Sequence, residues 1–117
     1  MRAILLVDHG SRLAAANAQL AEVAARVQRR LPATHVAHAH MELGAPSIAD
    51  AVDALATQGV TDLVVVPYFL APGRHASEDV PRIAREAAAR HGIPCRVTEP
   101  LGVHELLAEL VTIRASE

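Results

Sequence analysis

Two histidines and a glutamate stand where short apolar runs of this 117-residue sequence end. His9 follows AILLVD at 3–8, Glu42 follows THVAHAHM at 34–41, and His75 lies in LAPGRHASED just beyond DLVVVPYF at 62–69. Neutral imidazole and carboxylate together suit borderline divalent ions such as Fe, Co, Ni and Zn, and the same groups accept protons near neutral pH. A structural zinc site closes with four ligands, whereas two His and one Glu leave positions open, so a metal held here can exchange. Arg12, Arg74 and Arg82 fall near the same points, and helix starts near residues 13, 47 and 78 add backbone N–H groups. An anionic ligand would be welcome beside the metal.

For these residues to meet, the runs that carry them must be neighbouring parallel strands. Short β-rich runs alternate with 3.6-period segments along the whole chain, which is a βαβα pattern. Strands are expected at 3–8, 34–41, 62–69 and, in PCRVTE, 94–99. Helical stripes follow: Leu20, Val23, Ala24, Val27 and Leu31; then Ile48, Val52 and Leu55; then Val80, Ile83, Ala84 and Ala87; and last Leu106, Leu107, Leu110 and Val111. Pro46-Ser47 with Asp50 marks the start of the second helix, Ser77-Glu78-Asp79 that of the third, and His91-Gly92 its close. The first and third strands are apolar on both faces, as central parallel strands are, and the more polar second strand belongs at an edge. Right-handed crossovers then favour an α/β, doubly wound sheet of four parallel strands in the order 2-1-3-4, flanked by helices. In such a sheet ligands bind beyond the carboxyl ends of the strands, where His9, Glu42 and His75 converge.

Composition sets the outer bounds. The chain is 51% hydrophobic with a formal charge of -2, fitting one domain over residues 1–117 with no basic surplus for nucleic acid or anionic membrane. No apolar stretch reaches membrane-spanning length and the start does not read as a signal peptide, so a cytoplasmic protein is expected. Cys95 is the single cysteine, which excludes an internal disulfide. Neither G-x-G-x-x-G nor G-x-x-x-x-G-K-[ST] occurs, which weighs against a nucleotide-binding module. The only RHG, at 90–92, ends a helix rather than the first strand, which weighs against a phosphohistidine phosphatase.

With those motifs in view, the sequence resembles the small single-domain sirohydrochlorin chelatases of the CbiX type, relatives of ferrochelatase. Four blocks carry the resemblance: HGSR at 9–12 followed by Asn17, ELGAPSIADAVDAL at 42–55, VVVPYFLAPGRHASEDVP at 64–81, and EPLGVHELLAELV at 99–111. The resemblance implies insertion of a divalent metal, Co2+ or Fe2+ and in some relatives Ni2+, into the carboxylate-rich tetrapyrrole sirohydrochlorin. By the same resemblance, His9 and His75 are the histidines that bind the metal and accept the pyrrole protons, and Ser11, Arg12, Arg74 and Glu42 meet the substrate. No organic cofactor or ATP is implied, and the short members resemble the fused ones as homodimers with clefts near the subunit interface.

One residue departs from the family, which usually has Gly where this chain has Asp8. Asp8 could orient His9 or crowd the cleft, and it motivates a rival reading: a noncatalytic metal- or tetrapyrrole-binding protein on the same fold. His38 and His40 share the strand face of Glu42 and could extend a metal path, or simply sit on an edge strand. Structural roles are expected for His91 at the dipole of a helix end, for His104 at a helix start, for Cys95 as a small hydrophobe, and for Met41 and Leu43 as packing residues.

Overall fold

The structure is a computed structural model describing residues 1–117. Strands β1 (Arg2–Asp8), β2 (His35–His40), β3 (Asp62–Pro67) and β4 (Cys95–Val97) form one sheet in the order β2-β1-β3-β4, and all three pairings are parallel. This is the expected doubly wound order, with apolar β1 and β3 at the centre and the more polar β2 at an edge. Helices α1 (Ala14–Arg30), α2 (Ile48–Thr57) and α3 (Val80–Ala89) make the crossovers, and α4 (Glu105–Ala115) follows β4. Because all strands run the same way, their carboxyl ends share one rim.

Alternation along β1 divides its side chains between two layers. Ala3, Leu5 and Val7, with Leu63 and Val65 of β3, are buried against Ile48, Val52 and Leu55 of α2 and Val80, Ala84 and Ala87 of α3. Leu6 faces the other way, onto Leu20 and Ala24 of α1, with Val23 and Val27 around them. The stripes expected on the first three helices are therefore the faces that pack, except that Leu31 falls past the end of α1 and is exposed. The fourth stripe is not: α4 buries no residue and leaves Leu106 68%, Leu110 43% and Val111 67% exposed. No helix is long and apolar enough to cross a membrane.

Beyond one-residue shifts at the ends of β1 and β2, three elements differ from the sequence expectation. β4 keeps only three residues of PCRVTE, although one bond beyond each end, Leu63 N to Pro94 O and Thr98 N to Val65 O, continues the pairing. β3 stops at Pro67 rather than Phe69. The third helix begins earlier, at His75, with a π-helical turn over His75–Asp79 in which Val80 N donates to His75 O, and Ser77 makes no side-chain cap. Pro81 has no N–H to offer the Ser77 carbonyl, so the wider turn ahead of it forfeits no α-helical bond at that point. Ser47 does cap α2, its Oγ accepting from Asp50 N at 3.1 Å.

Candidate active site

The site grows out of the β1–β2 ladder. Past the strand ends, Met41 N donates to Asp8 O at 2.8 Å and Glu42 N to His9 O at 3.0 Å, so His9 and Glu42 come side by side. There His9 Nε2 and Glu42 Oε1 stand 2.9 Å apart. The chain can turn immediately after His9 because Gly10 takes φ +92, and a Cβ at that position would overlap the Glu42 carbonyl oxygen. The next residue is clamped: Ser11 N donates to Asn17 Oδ1 at 2.9 Å, and Asn17 Nδ2 returns a bond to Ser11 O at 2.7 Å.

From β3 the chain reaches the same rim through the π-turn. His75 opens that turn, and Asp79 lies one turn on, where its Oδ2 accepts from His75 Nδ1 at 3.0 Å. Arg82 approaches the other oxygen of Asp79 at 3.5 Å. The rings of His9 and His75 stand 4.8 Å apart between centroids, tilted by 57°. The convergence of His9, Glu42 and His75 expected from the strand ends is thus observed.

The two imidazoles have different surroundings. With Nδ1 donating to Asp79, His75 keeps Nε2 as an unshared lone pair. His9 has an oxygen beside each nitrogen, Glu42 Oε1 at 2.9 Å from Nε2 and the Gly10 carbonyl at 3.2 Å from Nδ1. Side chains of His9, Glu42 and His75 are 39%, 54% and 47% exposed, and none of them lines any of the cavities. No group of three His, Cys, Asp or Glu side chains is drawn together tightly enough to enclose an ion. The arrangement is an open surface rather than an enclosed site.

The remaining expected site residues are placed less decisively. Ser11 Oγ accepts from Leu13 N at 3.0 Å, which shapes the entry to α1 and leaves its own O–H free to donate. Arg12 makes no ion pair, while Arg74 lies beside His75 with its guanidinium 3.6 Å from Glu78. The largest cavity, about 400 Å³, lies away from these residues along the open edge of β2, lined by Val36, His38, Pro46 and Ala51 among others.

Several expectations are corrected. Asp8 neither orients His9 nor crowds the rim: its Oδ1 accepts from Nδ1 of His40 at 2.6 Å, on the sheet face shared with Leu6. His40 is 1% exposed and so committed to Asp8, and no metal path runs through it. His38 packs edge-on to the His40 ring at 5.8 Å, and burial, then the neighbouring His40 charge, push its pKa below the usual imidazole value against the pull of Asp8. His91 lies past the end of α3 and donates from Nε2 to Asp53 of α2 at 2.7 Å, tying two helices rather than answering a dipole. Leu43 is 49% exposed at φ +63 and is no packing residue, whereas Met41 does pack on the core. His104 caps α4 as expected, Nδ1 accepting from Leu106 N, and Cys95 packs on the core with its thiol pKa raised by burial.

Beyond the helix-start role the sequence suggests for Asp79, its i+4 spacing from His75 signals a side-chain pair once a helix is known to begin at His75, and the structure shows what Asn17 and Gly44 of the resemblance blocks do. Asn17 locks Ser11, and Gly44 fits against it so closely that a Cβ there would stand 2.6 Å from Asn17 Nδ2.

An all-parallel sheet in the order 2-1-3-4, with two carboxylate-backed imidazoles on the rim, defines an α/β protein of the chelatase class. The chain belongs to the CbiX family, whose model matches residues 3–117. It is 42% identical over 112 residues to a chloroplastic sirohydrochlorin ferrochelatase of Arabidopsis thaliana, covering 95% of this chain and 50% of the relative. A sirohydrochlorin cobaltochelatase of Methanococcoides burtonii is 37% identical over 123 residues, with 97% and 94% covered. Among solved structures, the sirohydrochlorin chelatase SirB from Bacillus subtilis subspecies spizizenii in complex with cobalt superposes with a TM-score of 0.85 at 32% identity, over 98% of this chain and 50% of SirB. The chain therefore spans half the length of the plant and Bacillus relatives and nearly all of the archaeal one.

Proposed function

We propose that this chain inserts a divalent metal, Co2+ or Fe2+ and also Ni2+, into sirohydrochlorin in the biosynthesis of tetrapyrroles such as cobalamin or siroheme. The observation that carries the reading is the His9–His75 pair, 4.8 Å apart with a carboxylate on each ring. Support comes from relatives named for this reaction and from a SirB structure holding cobalt.

Insertion replaces two pyrrole N–H protons of the macrocycle by one M2+, so the ion must shed water while two protons leave. In this reading His75 takes the arriving metal through Nε2, with Asp79 fixing the ring and raising its donor strength. His9 accepts a pyrrole proton and hands it through Nε2 to Glu42, which is half in solvent and releases it there; the second proton follows the same route. Arg12, Arg74 and the Ser11 hydroxyl hold carboxylates of the macrocycle. The metal is substrate, and the chemistry calls for no organic cofactor. Asp8, the motive for a noncatalytic reading, is turned away from the rim toward His40.

The working form in this reading is a homodimer in the cytoplasm. A macrocycle laid on the open rim remains wet on its outer side, and a second subunit would cover it. The exposed apolar residues of α4, Leu106, Leu110 and Val111, support such pairing. Anaerobic incubation with sirohydrochlorin and each of Co2+, Fe2+ and Ni2+, followed by absorbance against a protein-free control, tests the activity. Acceleration with at least one metal is expected, and none with any metal overturns the reading.

A further inference from the structure

We infer that Asp8 and His40 form a positioning pair that sets the spacing of His9 and Glu42; the inference rests on the chelatase reading and names two residues that act on its site from beneath. Asp8 and His40 are register partners at the last step of the β1–β2 ladder, immediately before the two bonds that carry His9 and Glu42. The His40 side chain is buried, and it packs beneath both turns that leave the sheet. A Cβ on Gly10 would come within 3.2 Å of His40 Cβ, and one on Gly44 within 3.2 Å of His40 Cδ2. His40 is therefore a wedge, its Cβ beneath the turn that follows His9 and its ring edge beneath the turn that follows Glu42. Its backbone is pinned as well, with His40 N donating to Pro46 O at 2.9 Å, where the second turn returns to the sheet.

A ring in that place controls the Gly44 turn, and with it Glu42, only if it cannot rotate. The bond from Nδ1 to Asp8 Oδ1, at 2.6 Å, fixes it from the neighbouring strand. Asp8 is one residue from His9, so the same hydrogen bond ties the root of His9 to the wedge under Glu42. Removing the Asp8 carboxylate frees the ring and lets the Gly44 turn drift, carrying Glu42 with it. The distance that suffers is the 2.9 Å contact between His9 Nε2 and Glu42 Oε1, the path by which a proton leaves. Neither Asp8 nor His40 touches the macrocycle or the metal in this account. Their loss lowers kcat and spares binding of the tetrapyrrole, which rests on Arg12, Arg74 and Ser11.

The test compares the full-length wild type, Asp8→Ala and Asp8→Asn in anaerobic Co2+ insertion, with imidazole proton–nitrogen NMR spectra of the same three samples. Asn keeps an acceptor oxygen at the position of Oδ1. Asp8→Ala is expected to lose about tenfold in kcat with KM for sirohydrochlorin unchanged, and to shift the His9 imidazole resonances. Asp8→Asn is expected to restore most of both. A folded Asp8→Ala protein with wild-type kcat and unmoved His9 resonances overturns the pairing, as does an equal loss in Asp8→Asn. A wild type without insertion activity overturns the chelatase reading instead, and the His9 resonances then decide the positioning by themselves: shifted in Asp8→Ala they support it, unmoved they refute it.

Discussion

His9 and His75 leave different strands of the sheet and bring their rings to 4.8 Å, tilted by 57°, each with a carboxylate on one nitrogen. In the proposed mechanism that relationship divides the labour of the site, Glu42 facing the ring assigned to proton acceptance and Asp79 backing the ring assigned to the metal. Glu42→Gln keeps the size and a hydrogen-bonding oxygen but cannot take a proton, so kcat for metal insertion falls about a hundredfold with little change in KM. Asp79→Asn weakens the donor strength of His75 and raises the apparent KM for the metal by about tenfold. Steady-state kinetics varied in metal and in sirohydrochlorin separate the two; the reverse assignment of kcat and KM effects contradicts the division.

Gly10 holds the turn that makes His9 reachable. Gly10→Ala meets both the unfavourable φ and the overlap with the Glu42 carbonyl, so it destabilises the chain by about 2 kcal/mol or more. Urea unfolding measures the change. A wild-type midpoint in Gly10→Ala would show that the turn relaxes without cost.

The pH dependence of stability has an identifiable contributor in His38. Its pKa is lowered in the folded protein, chiefly by burial. Below the ordinary imidazole value of about 6.5 the unfolded chain then binds more protons than the folded one, so stability falls as pH drops through that value and levels off beneath the folded pKa. His38→Gln removes this contribution. Urea midpoints measured from about pH 7.5 to about pH 5 should fall less steeply in the variant than in the wild type, and parallel curves would exclude His38 as a source.

The apolar outer face of α4 makes a prediction about assembly. Leu110 is central on that helix and 43% exposed without a partner in the fold. Leu110→Glu should convert a dimer to a monomer by light scattering while the far-UV circular dichroism stays unchanged. A wild type that is monomeric at every concentration, or a variant that still dimerises, contradicts the assignment of this face.

Much of this architecture was legible in the residues. Unbroken apolarity in AILLVD and DLVVVP marked central parallel strands, polarity in THVAHAHM marked an edge, and the ligand rule for open sheets placed His9, Glu42 and His75 on one rim. What escaped was set by tertiary register. Asp8 and His40 meet only because β1 and β2 pair in one particular alignment, and alternation along either strand alone gives no sign of it. The early start of the third helix depends on how Pro81 relaxes the turn ahead of it, which a capping signature at Ser77 disguised. The α4 stripe was read correctly as apolar, but a stripe does not say whether its cover lies in the same chain.

The rim histidines carry the central claim, and the initial rate of Co2+ insertion into sirohydrochlorin tests it most directly in His9→Ala, His75→Ala and the wild type under anaerobic conditions. Both rings lie outside the core, so each variant should keep its far-UV circular dichroism while its rate falls about a hundredfold or more. Wild-type rates in both folded variants would contradict the account.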